Sequence, residues 1–199
     1  MSTEYKIGLT PVSDEAASGD AKDILDTTKA QLGFVPNMYR TMANSPGYLS
    51  TYIYGYKEFR ENSGFTSQEQ ELIFLVLSRE NNCEYCTAAH SMLADKVSKL
   101  DADSLAAARA GEPIPNAKLQ SLALFTTRVF ETRGLITKAD ANAFLAAGYS
   151  ELQIMEVVLA VSVKTLSNYS NHIFHTEVDE VFAPYKLGAS DSTADTAVA

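Results

Sequence analysis

The chain has 199 residues, 46% of them hydrophobic and 21% charged, with 10 Gly and 6 Pro, which excludes a collagen-like, low-complexity or largely disordered protein and fits one domain with room for an extension. Sixteen basic residues against 25 acidic ones give a net charge of −9 and a pI near 4.8, opposite to what a phosphate backbone or an anionic bilayer attracts. No nucleic-acid or membrane partner is therefore expected. The longest uninterrupted apolar run, Leu72 to Leu77, is six residues, against roughly 18 to 20 for a membrane span. The N-terminus lacks a basic segment followed by an apolar stretch, and a cytoplasmic address is expected.

In chain order, residues 1–19 mix Thr10-Pro11 with small and acidic residues and read as an irregular arm, whose acidic side chains serve solubility. A helix follows from Asp20 to Leu32 and Gly33 ends it. Pro36 and Pro46 sit where a first-turn proline opens a helix, predicting helices over Asn37 to Ala43 and Gly47 to Glu61. Thr66-Ser67-Gln68-Glu69 has the form of a capping box, so a helix starts there and runs to about Glu80. Asn81-Asn82 interrupts, and Cys83 to Lys96 is the next helical stretch.

Further helices are predicted over Ser104 to Ala110, Ala117 to Thr132 and Thr137 to Ala147. A second capping box, Ser150 to Gln153, opens a long run toward Val181 that Pro184 stops. Residues 188–199 carry no large apolar side chain and read as a mobile tail. No strand pattern and no repeat appears, so the expected architecture is all-α: one helical domain over 20–187 with a helical N-terminal extension.

The chemistry concentrates in Cys83-Glu84-Tyr85-Cys86-Thr87-Ala88-Ala89-His90, which holds both cysteines and one of three histidines. On a helix, Cys83 and Cys86 are i and i+3, and Cys86 and His90 are i and i+4, so the three side chains share a face. Two thiols so placed can close a disulfide, the helix N-terminus favours a thiolate, and an adjacent imidazole can take the proton. The dipole favours Cys83 and the imidazole favours Cys86; spacing alone leaves both open. Glu71, Glu80 and Glu84 are the local carboxylates able to orient His90, and Glu71 stands out because it opens the apolar run.

Across Gly33 to Tyr185 the sequence resembles the alkylhydroperoxidase D-like, carboxymuconolactone decarboxylase superfamily, in its uncharacterised peroxidase-related branch. The resemblance is carried by Gly33-Phe34-Val35-Pro36-Asn37, Gln70-Glu71-Leu72-Ile73, the Cys83 to His90 motif, and Asn171-His172 with Thr176 and Asp179. It implies an all-helical, oligomeric thiol peroxidase or disulfide oxidoreductase without bound cofactor or metal, acting on a hydroperoxide or a partner disulfide and recharged by an external thiol reductant. By the same resemblance Cys86 is the nucleophile, Cys83 the resolving cysteine, His90 the base, and Glu71, twelve residues before Cys83, the carboxylate of the relay. Tyr85 stands where the characterised peroxidase has a histidine between its cysteines, and decarboxylases proper lack the cysteine pair.

Other readings of the same residues exist. Cys83, Cys86 and His90 with His172 or His175 would make a tetrahedral zinc site if the last helix crossed the motif helix, and a structural protein or a non-redox decarboxylase-like enzyme are the alternative functions. His172 otherwise reads as a core or pocket residue. The aromatic set Tyr48, Tyr52, Tyr54, Tyr56 and Phe59 reads as helix packing. The Leu72–Leu77 run, apolar all round, asks for cover on every side, which predicts a homo-oligomer.

Overall fold

A computed structural model describes residues 4–188, so the tail expected at 188–199 lies, beyond Gly188, outside the described residues. Among these residues the chain forms helices only, without strands: α1 (Gly19–Leu32), α2 (Asn37–Met42), α3 (Pro46–Asn62), α4 (Ser67–Glu80), α5 (Glu84–Lys96), α6 (Ala102–Ala110), α7 (Ala117–Thr132), α8 (Lys138–Ala146), α9 (Glu151–Phe174) and a 3₁₀ turn at Ala183–Tyr185. The capping boxes form as the sequence predicts. Glu69 N–H donates to the Thr66 hydroxyl and Thr66 N–H to the Glu69 carboxylate at 2.9 Å, and Ser150 and Gln153 do the same at the head of α9. Each cap is worth about 1 kcal/mol.

Helix α4 is the hub, with α5, α6, α7 and α9 packed around it. Every residue from Leu72 to Leu77 is fully buried inside one chain. This corrects the physical premise of the expected oligomer: four neighbouring helices suffice to cover the all-round apolar run, and no second copy is needed there. Helix α3 lies on α9 at close range because Gly55 faces it, where a Cβ would come within 3.1 Å of Val163 Cγ2. That approach carries Tyr52, Tyr56 and Arg60 of α3 toward the middle of α9.

The link between α4 and α5 is three residues long and reverses the chain through Asn82 at φ 53°, with Cys83 N–H closing back on Ser78 O at 2.9 Å. So short a link folds α5 back onto α4. The arm, though irregular, is tied down: Ile7 N–H bonds Ile173 O at 3.0 Å, Val12 N–H bonds Arg40 O at 2.9 Å, and Asp14 pairs with Arg40 and Lys29. Behind it α1 packs on α3.

Helix α9 ends seven residues earlier than the expected Val181. His175 takes a left-handed φ of 50°, and its N–H caps the carbonyls of Asn171 and His172. Downstream, the Asp179 carboxylate accepts from Asn37 N–H at 3.2 Å and from the Tyr85 hydroxyl, contacts that draw the chain across α2 and α5 instead of along the helix axis. No single helix among the described residues is long and apolar enough to cross a membrane, and α8 with α9 passes that test together only through a 110° bend.

Candidate active site

Cys83 is the N-cap of α5 and Cys86 lies in its first turn. Both are free thiols, buried at 1% and 2% exposure. Asn171 of α9 spans the pair, its Nδ2 donating to Cys86 Sγ at 3.3 Å and reaching Cys83 Sγ at 3.8 Å. One turn along α5, His90 is buried against Phe74, their rings 5.0 Å apart.

The reversal between α4 and α5 sets Glu71 opposite His90, and Glu71 Oε2 lies 2.9 Å from His90 Nδ1. Its other oxygen is 2.6 Å from the Arg60 guanidinium of α3. Arg60 in turn donates to the Tyr56 hydroxyl at 2.7 Å and to Gln70 Oε1 at 3.2 Å, and its charge sits 4.8 Å over the rings of Tyr56 and Phe74. A glutamate in the apolar run is thus a buried ion pair with an imidazole on its second oxygen. Of the three carboxylates near His90 in sequence, Glu71 is the one in contact with it.

The residue that sequence reading missed is Lys164. It comes from the middle of α9, is 1% exposed, and its Nζ lies 2.9 Å from His90 Nε2 and 5.5 Å from the Phe74 ring centre. It lines the same cavity as Cys86, and its charge favours the thiolate there. The one available signal was a lysine inside the run Leu159-Ala160-Val161-Ser162-Val163-Lys164, a charge on the apolar side of a helix. Arg60 gave no such signal, since α3 carries charged residues on its exposed side as well.

The electrostatics follow from these contacts. Burial pushes the Cys86 thiol up, but the hydrogen bond from Cys83 and the charge and hydrogen bond of Lys164 outweigh it, holding Cys86 well below an ordinary thiol. Cys83 moves the other way, raised by donating to Cys86 and by burial. Burial and the neighbouring Lys164 ammonium push His90 down to about 4, so the ring is neutral near pH 7. Glu71 is held below its usual value because His90 and Arg60 together overcome its burial.

The structure brings the expected residues to one place: Glu71 contacts His90, Asn171 bridges Cys83 and Cys86, and Cys86 and His90 line one cavity. The zinc alternative does not assemble, because both His90 nitrogens already have partners, His172 is exposed, and no group of three or more His, Cys, Asp or Glu among the described residues is placed to hold a metal. The exposure of His172 also corrects its reading as a core or pocket residue. A half-open cavity of about 830 Å³ reaches Cys86, His90 and Lys164 between α1, α2, α3 and α5, walled by Tyr39, Tyr52, Tyr56, Tyr85, Phe34 and Phe182. Tyr52 and Tyr56 thus line a cavity as well as packing helices, which amends the packing-only reading, whereas Phe59 is core and Tyr54 is exposed.

No protein-family model matches the sequence, and no curated protein matches it. Solved structures share its fold. An uncharacterized peroxidase-related protein with an alkylhydroperoxidase AhpD core, from Ralstonia eutropha JMP134, superposes with a TM-score of 0.79 at 19% identity over 88% of this chain and 94% of that one. A second uncharacterized peroxidase-related protein, from Silicibacter sp. TM1040, gives 0.72 at 18% identity, covering 91% and 95%. A cysteine-to-alanine variant of the debrominase Bmp8, in complex with 2,3,4-tribromopyrrole, gives 0.73 at 14% identity, covering 92% and 97%. The architecture is the alkylhydroperoxidase D-like helical fold expected from the sequence.

Proposed function

We propose that the chain is a thiol-dependent peroxidase in which Cys86 attacks and Cys83 resolves. The observation that carries this reading is a pair of buried thiols bridged by Asn171 Nδ2, with Cys86, favoured as thiolate, lining a cavity. The Cys86 sulfur attacks the terminal oxygen of an organic hydroperoxide, the O–O bond breaks, sulfur becomes a sulfenic acid and the alkoxide leaves to be protonated. The Cys83 sulfur then attacks Cys86, and hydroxide departs as water with the Cys83 proton. An external dithiol reduces the disulfide, with no bound cofactor. The near-zero exposure of both sulfurs ranks a small hydroperoxide ahead of a partner protein's disulfide as the oxidant.

Peroxide consumption with a dithiol reductant tests this: Cys86→Ser is expected to abolish it, and undiminished turnover overturns the assignment. The aromatic cavity walls and the likeness to a debrominase favour one second reading, reductive dehalogenation of an aromatic ring. There the two thiols supply two electrons, the ring carbon gains a proton and halide leaves, so halide release in the same assay decides it. A decarboxylase-like reaction would instead survive loss of both cysteines.

Reducing conditions that recharge the pair suit a cytoplasmic address. Self-association belongs to the proposal through a different surface from α4. Leu152, Met155, Tyr169 and Ile173, between 45% and 64% exposed, stand at heptad spacing along α9, a pattern suited to a second copy of the same helix.

A further inference from the structure

The ring of His90 has no lone pair free for the Cys86 thiol. Glu71, ionised, can only accept, so His90 Nδ1 carries the hydrogen and Nε2 holds the lone pair, which Lys164 already occupies at 2.9 Å. The Lys164 ammonium that holds this lone pair lines the same cavity as Cys86. Resting on the peroxidase reading, we propose that Lys164 is the proton carrier of the reaction, giving its proton to the departing alkoxide when Cys86 is oxidised and recovering one when the disulfide is reduced.

Charge balance argues for this. In the reduced site Arg60 and Lys164 are positive, Glu71 and the Cys86 thiolate negative, and His90 neutral, so the buried group is balanced. Once Cys86 joins Cys83 in a disulfide its negative charge is gone. A Lys164 that kept its proton would then be an unpaired buried ammonium, since Glu71 already serves Arg60 and the phenols of Tyr52 and Tyr56, raised by burial, stay neutral. His90 has no spare proton to give, its single N–H being held by Glu71. A neutral Lys164 still donates a hydrogen bond to His90 Nε2, so the geometry serves both states.

The steps balance around the cycle. Cys86 thiolate and hydroperoxide give sulfenic acid and alkoxide; the alkoxide takes the Lys164 proton and leaves as the alcohol. Cys83 thiol and sulfenic acid give disulfide and water. A dithiol then reduces the disulfide with two electrons and yields two protons, one ending on Cys83 and one on Lys164, while Cys86 returns as thiolate.

Proton counting tests it. The protein is oxidised with cumene hydroperoxide, freed of product, and reduced by a phosphine in unbuffered solution near neutral pH, with an indicator dye and the ultraviolet thiolate absorbance read together. Neutral phosphine and water furnish two protons per disulfide, of which one remains on Cys83, and the proton that the phosphonium fraction adds is subtracted with a small-molecule disulfide reduced under the same conditions. The wild type is expected to develop the absorbance of one thiolate and release no net proton. Lys164→Arg keeps the charge but cannot deprotonate, and is expected to develop the same absorbance while releasing one proton per disulfide. His90→Asn should release none. The proposal is overturned if the wild type releases one proton, if no thiolate appears, if Lys164→Arg matches the wild type, or if His90→Asn alone releases a proton. Should Lys164→Arg not fold, the wild-type count decides by itself. Failure of the peroxidase reading looks different: hydroperoxide forms no disulfide, and the phosphine finds nothing to reduce.

Discussion

Lys164 Nζ lies 2.9 Å from His90 Nε2, so a lysine from α9 holds the imidazole of α5 on the wall of the cavity that Cys86 also lines. In Lys164→Met the ammonium that favours the thiolate is lost while the shape of the side chain is largely kept. The Cys86 pKa should rise. Alkylation by iodoacetamide near pH 7 is then expected to slow about tenfold or more, with its pH profile displaced upward. An unchanged profile would show that the Cys83 hydrogen bond alone sets the thiolate.

The depressed His90 makes stability depend on pH with a definite sign. The folded ring resists protonation until about 4, whereas an ordinary histidine accepts a proton near 6.5. Between those values the unfolded chain binds more protons, so stability falls as pH drops through the window, by about 3 kcal/mol when complete. Glu71, lowered from 4.5, adds a loss of the same sign at the acid end. Denaturant titrations from pH 7 to 4 should show the slope in the wild type and a flatter one in His90→Gln.

Arg60 holds the Glu71 oxygen that His90 does not. Arg60→Met leaves a buried carboxylate short of its counter-ion, and breaking such a pair costs about 3 kcal/mol. The loss should appear as a lower urea midpoint with unchanged slope, and it should shrink as pH falls and Glu71 becomes protonated. Arg60→Lys is expected to recover part of it, since the charge returns without the planar fork.

Oligomeric state is the fourth test. Sedimentation at micromolar concentration is expected to find an assembly, and Met155→Glu with Leu152→Lys on the exposed side of α9 should dissociate it while leaving the helical spectrum intact. A stable monomer of 21.6 kDa before mutation would show that the expectation is wrong.

Much of this was legible in the sequence because it is local. Capping boxes at Thr66 and Ser150, prolines at helix starts and left-handed Gly33 act through neighbours a few residues away, so helix starts were read to within a residue or two. The spacing of Cys83, Cys86 and His90 put them on one helix, and the oddness of Glu71 in an apolar run marked a buried charge before its partner was known. What the sequence could not contain is the partner on the other side of a helix interface. Arg60 and Lys164 reach the site only because Gly55 lets α3 close on α9 and the three-residue link folds α5 onto α4. Their distance in sequence from Cys86 leaves no periodic trace, and a lysine's role inside a core depends on what charge faces it. The same limit explains α4 and α9: apolar pattern showed that α4 had to be covered, but whether four helices of one chain or a second copy did so was decided by packing. The end of α9 was likewise settled by the Asp179 contacts to Asn37 and Tyr85, which no local signal near Val181 records.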